Sequence, residues 1–148
     1  MKTYGVLDVA NKIVCKAARE DSYGELVSNL KLQKLLYYMQ GYHLAQFDAP
    51  LFNEDIEAWF YGPVVPVAYN KYKKYGNKGI NPEGNAIVLS DEQENLFEKI
   101  FNIYGNYSAS GLMNLTHEEH PWKSTPTGVG NVISHEKMKR FFKNSIKI

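Results

Sequence analysis

The chain has 148 residues, with 17 Lys+Arg against 16 Asp+Glu and a net charge of +1. That length fits one domain around one core, and 44% apolar with 22% charged residues exclude a disordered chain. The charge balance argues against a cationic nucleic-acid-binding domain, while 11 Tyr, 7 Phe and 2 Trp leave an aromatic surplus to explain.

The N-terminal segment holds no apolar run of signal-peptide length, because Asp8, Asn11 and Lys12 interrupt it. Nothing approaches the roughly 18 apolar residues that span a bilayer. Cys15 is the only cysteine, so no intrachain disulfide can form, and a soluble cytoplasmic protein is expected. Val6, Val9, Ala10, Ile13, Val14 and Ala17 recur at three- and four-residue spacing, which predicts a helix over 6–19. Ser28 is a natural cap for a helix from Asn29 to about Gln46. That helix is apolar on nearly every side, the pattern of a central, buried element.

Ile56-Glu57-Ala58-Trp59-Phe60-Tyr61 reads as an extended segment stopping at Gly62-Pro63. Pro66 suits the first turn of a helix whose Val65, Ala68, Tyr69, Tyr72 and Tyr75 share one face, with Gly76 as its end. Residues 77–89 read as a loop or poor hairpin. Ser90-Asp91-Glu92-Gln93 is a capping box opening a helix to Gly105. Ser108 starts a shorter helix that Pro121 limits, 123–133 is a Thr/Gly/Pro-rich surface loop, and Ser134 caps the last helix. The expected fold is mainly α, a single domain over 1–148. It has about five to seven helices, an extended segment near 56–61 and a second candidate at 80–89.

Charge is neutral only in sum. Residues 35–70 hold Asp48, Glu54, Asp55 and Glu57 with no Lys or Arg; residues 71–78 hold Lys71, Lys73, Lys74 and Lys78 with no acid. Such segregation steers and orients partners. The same region, Tyr37 to Tyr75, concentrates Tyr37, Tyr38, Tyr42, Trp59, Phe60, Tyr61, Tyr69, Tyr72 and Tyr75. These rings fit either a thick aromatic core or an interaction surface.

Motifs that could carry chemistry are few. Thr116-His117-Glu118-Glu119-His120-Pro121-Trp122 places two histidines three apart, whereas the zincin helix needs them four apart with Glu beside the first. A third ligand would have to come from His43, His135 or an acid elsewhere. Cys15 on its helix reads as a small apolar residue, and there is no nucleophile elbow, Walker loop or dinucleotide fingerprint.

Three long stretches carry a resemblance. These are Lys31-Leu32-Gln33-Lys34-Leu35-Leu36-Tyr37-Tyr38-Met39-Gln40-Gly41-Tyr42-His43-Leu44-Ala45; Pro50-Leu51-Phe52 with Ile56 through Pro66; and Thr116 through Lys123. Together they closely resemble the Panacea domain, the family of phage-associated proteins that includes the SocA-like antitoxins. Tyr42 stands where the family often has tryptophan, and Met39 where a small residue is common. The resemblance implies a mainly helical antitoxin that neutralises a cognate toxin by direct binding, with a cytosolic protease as a further partner when it acts as an adaptor. It implies no catalytic set, metal or cofactor, and no membrane. The expected contact residues are Tyr37, Tyr38, Trp59, Tyr61, Tyr69, Tyr72, Lys71 and Lys74. Two other readings stay open on the residues: a metal-dependent enzyme using His117 and His120, and a phage-associated transcriptional regulator.

Overall fold

A computed structural model describes residues 1–19 and 25–145. Helix α1 (Val6–Arg19) precedes the long α2 (Asn29–Phe47). A hairpin of β1 (Glu57–Trp59) and β2 (Gly62–Val64) then leads into α3 (Pro66–Tyr72) and a 3₁₀ turn (Lys73–Tyr75). Helices α4 (Asp91–Tyr104), α5 (Ala109–His117), α6 (His120–Lys123) and α7 (His135–Lys143) complete the chain.

Helix α2 occupies the centre, touching α1, α3, α4, α5, α7 and β2. Its burial on every side follows from the all-round apolar pattern, and the Ser28 hydroxyl caps it by accepting from the Lys31 N–H. Buried polar groups on α2 are spent on the loops around it. Gln40 Oε1 accepts from Leu51 N at 2.8 Å while its Nε2 donates to Phe52 O at 2.7 Å, and Gln33 Oε1 accepts from Val65 N at 2.9 Å. These bonds give otherwise orphaned loop amides a partner and hold the entry and exit of the hairpin against α2. The capping box at Ser90 forms with both bonds made.

The structure moves the hairpin turn and explains the shift. The expected stop at Gly62-Pro63 lies inside β2, and the turn is Phe60-Tyr61, because Trp59 pairs with Gly62 and Ala58 with Pro63. Proline is tolerated there because Ala58 turns its own backbone groups the other way, donating to Asn131 O at 2.9 Å and accepting from Gly128 N at 2.8 Å. Residues 128–133, expected to be surface loop, thus run along the outer edge of β1, with a Glu57–Val132 bridge and Ile133 N donating to Ile56 O. No strand forms over 80–89. Pro82 and the left-handed Gly84 (φ 64°) spoil a ladder, and α1 side chains hold the segment instead, through Asn11 with Glu83 and Lys12 Nζ to Ile87 O at 2.7 Å.

Candidate partner-binding surface

The Phe60-Tyr61 turn projects two large rings from a short ribbon. Phe60 is 71% exposed and Tyr61 61%, packed edge to face at 5.1 Å. The ribbon beneath them is braced. Trp122 Nε1 donates to Trp59 O at 2.8 Å, and the Trp122 ring stacks on His117 at 4.1 Å. The Trp59 ring meets Tyr69 of α3 edge-on at 5.0 Å and donates through Nε1 to Glu57 at 2.9 Å. Gly62 has φ 110°, and a Cβ there would lie 2.7 Å from Lys34 Cε and 2.9 Å from Thr116 Oγ1, so the backbone presses directly onto α2 and α5. Rings held at a rigid turn lose little entropy when they dock, which favours them as contact anchors.

The expected contact residues divide. Tyr61, Lys71 and Lys74 are exposed, and Trp59 and Tyr69 are half-buried against each other. Tyr37, Tyr38 and Tyr72 are in the core, closed to a partner docking on the folded surface. Phe60, the most exposed of the hairpin rings, is absent from the sequence-based set. Its signal is its place as the first of the two turn residues between Trp59 and Gly62, which shows only once the turn is set at Phe60-Tyr61.

Tyr37 and Tyr38 serve a different structure. Their hydroxyls donate to the two oxygens of Glu119, each at 3.0 Å, across about eighty residues of sequence. Tyr38 stacks on Tyr104 at 3.9 Å, and the Tyr104 and Tyr42 hydroxyls bond at 2.7 Å. Burial pushes the Glu119 carboxyl up to about 7, against the pull of its two phenol donors. Burial, and then the nearby Glu119, hold both phenols well above their ordinary range. Glu119 is the N-cap residue of α6, so the cluster fastens the α5–α6 corner to α2.

Lys34 is fully buried beneath the hairpin, where its Nζ donates to Pro63 O at 3.1 Å. Burial lowers its amine to about 7. The native state therefore binds fewer protons than the unfolded chain between about pH 7 and the ordinary 10.5, and stability gains from Lys34 as pH rises through that window. Urea unfolding between pH 7 and 9.5 is expected to show the wild type gaining on Lys34→Met by up to ~1 kcal/mol per pH unit. Parallel profiles would overturn this assignment.

His117 packs inward while His120 is exposed, and no three His, Cys, Asp or Glu side chains converge among the described residues. Cys15 is buried with its Sγ 3.8 Å from Gly84 O. Among the described residues no helix is long and apolar enough to cross a membrane.

The family model described as Antitoxin SocA-like, Panacea domain, matches residues 32–123, the stretch from α2 through α6 that contains the hairpin and Glu119. The chain belongs to this family. Antitoxin SocA of Caulobacter vibrioides (strain NA1000 / CB15N) is 36% identical to it over 136 residues, covering 82% of this chain and 70% of that protein. No solved structure matches the chain significantly. Within the Panacea domain, then, the hairpin turn carries the two most exposed aromatic side chains among the described residues, and the Tyr37–Tyr38–Glu119 cluster fastens the α5–α6 corner, whose Trp122 braces that hairpin.

Proposed function

We propose that this Panacea domain is an antitoxin module that neutralises a cognate toxin by direct binding, with the Phe60–Tyr61 turn as the anchor. The observation that carries the reading is the exposure of two aromatic rings at the rigid turn of a buttressed hairpin. Exposed rings of this size forgo burial worth about 1.5–3 kcal/mol each, a loss that docking recovers. Trp59 precedes them in β1 and packs on Tyr69 of α3, and Lys71 and Lys74 lie further along that helix and its 3₁₀ turn. Family membership and the similarity to Antitoxin SocA support the partner class.

Co-expression tests this reading. A strain expressing the toxin-like product of the adjoining reading frame should stop growing and be rescued by this chain. Phe60→Ser combined with Tyr61→Ser, at unchanged soluble expression, should abolish rescue. Full rescue by that variant would sink the hairpin as the anchor. Delivery of the bound toxin to a cytosolic protease is read in the same cells, by whether the toxin level falls when the antitoxin is present.

A further inference from the structure

Taking the Phe60–Tyr61 turn as the anchor, we propose that Glu57, in the strand that leads to it, is a second contact and accepts a basic side chain of the partner protein. The partner surface that fits is apolar with one arginine or lysine set into it.

Strand β1 alternates. Ala58, with Ile56 before it, is buried on the core, while Glu57 and Trp59 are half-buried on the opposite face. Val132 pairs with Glu57 across the outer edge of β1 and shares that face at 44% exposure, whereas its neighbour Ile133 is buried. Beside the strand, residues 128–131 close a tight turn. Asn131 N donates to Gly128 O at 3.1 Å, and both ends bond to Ala58. Val129, inside this turn, is 82% exposed. With Tyr69 against Trp59, a face of rings and valines runs back from Phe60, and Glu57 is a charge set within it.

The carboxylate is held in place. Trp59 Nε1 donates to Glu57 Oε1 at 2.9 Å, and Gly130 N donates to the same oxygen at 2.7 Å. Both bonds need an acceptor and neither needs a charge, since a glutamine oxygen could take them. Among the described residues Oε2 meets no donor and Glu57 has no ion pair. The segments that build this face supply no cation, because neither 35–70 nor 124–133 contains Lys or Arg. A fully exposed charge could stay wet in a complex, but a half-buried one within an apolar face is covered when that face docks. Covering it without a counter-charge leaves a buried, unpaired ion, so a partner seated on the turn and this face has to bring a cation. Arginine suits the place better than lysine, because a guanidinium can donate to Oε2 and stack on the Trp59 ring. Nucleic acid fits badly, since its phosphates would be repelled by Glu57.

The probe for the test is the purified product of the adjoining reading frame, and its dissociation constant is read by calorimetry. Glu57→Gln keeps an oxygen for Trp59 and Gly130 and removes the charge. It should weaken binding at least ~10-fold at an unchanged urea midpoint. Glu92→Gln controls for net charge and should change affinity less than ~2-fold. Glu92 is exposed beside Gln93, which meets His43 toward the far end of α2 from Lys34 and the hairpin. Neutralising the probe's arginines and lysines one at a time should find one whose loss costs as much as Glu57→Gln and adds nothing in that background. If Glu57→Gln matches the control while Phe60→Ala/Tyr61→Ala still weakens binding, the Glu57 contact is overturned and the anchor stands. Additivity with every basic residue of the probe would reduce Glu57 to a neutral acceptor and overturn the ion pair. Should the glutamine variant lower the urea midpoint, the scan against wild type decides alone, and no basic residue costing ~10-fold overturns the proposal. No effect from any variant, or no binding of the probe, would remove contact and anchor together.

Discussion

Phe142→Ala is expected to lower stability by about 3–5 kcal/mol. The ring lies where α7 crosses α2, packing at 5.4 Å on Tyr37, 5.8 Å on Tyr38 and 4.6 Å on Tyr42. It can reach them because position 41 is glycine; a Cβ there would sit 2.1 Å from Phe142 Cε2. Gly41→Ala alone should therefore be destabilising by about 1–3 kcal/mol, since the ring has to leave its place. In the Phe142→Ala background the sign reverses. The clash is gone, the methyl partly fills the space, and alanine outperforms glycine in a helix by up to ~1 kcal/mol. Urea unfolding of the four proteins measures the coupling, and additive energies would contradict the direct contact.

Glu119→Gln should flatten the acid-side stability profile. The carboxyl stays protonated in the native protein up to about pH 7 but ionises near 4.5 when unfolded, so between these values the native state holds the extra proton. Its contribution therefore falls as pH rises through that window. His43, lowered by burial, acts oppositely below 6.5, and the comparison with Glu119→Gln cancels it. Between pH 5 and pH 8 the variant should gain about 2–3 kcal/mol on the wild type. Removing both phenol donors, Tyr37→Phe with Tyr38→Phe, should destabilise more at pH 8 than at pH 5, because the ionised carboxylate then loses its partners. Superimposable wild-type and Glu119→Gln profiles would refute the buried-carboxyl account.

Much of the helical fold was legible because its signals are local. Ser28, Ser90, Ser108 and Ser134 each cap the helix expected after them, with the hydroxyl accepting from the N–H three residues on. The mainly helical class follows from them, while of the small antiparallel hairpin only the first strand was legible, as the extended segment near 56–61. The candidate surface was half legible. Helical spacing identified the sides of α3, and Tyr61, Lys71 and Lys74 are exposed. The same reasoning could not separate Tyr37 and Tyr38 from contact residues, because their partner is Glu119, far along the chain. Glu119 looked like part of a metal-type motif for the same reason. Phe60 was hidden by the turn position, which depends on Ala58 pairing with the 128–133 segment on its other edge. Charge was legible as a sum along the chain, but only the tertiary contacts show that Asp48, Glu54, Glu57 and Lys71 have partners.

The most direct test of the binding account is the dissociation constant for the adjoining frame's product, measured by calorimetry with wild type and with Phe60→Ala/Tyr61→Ala. Anchor residues of this kind cost ~2 kcal/mol or more each when truncated, so affinity should fall at least ~100-fold at an unchanged melting temperature. An affinity within ~3-fold of wild type would contradict the account.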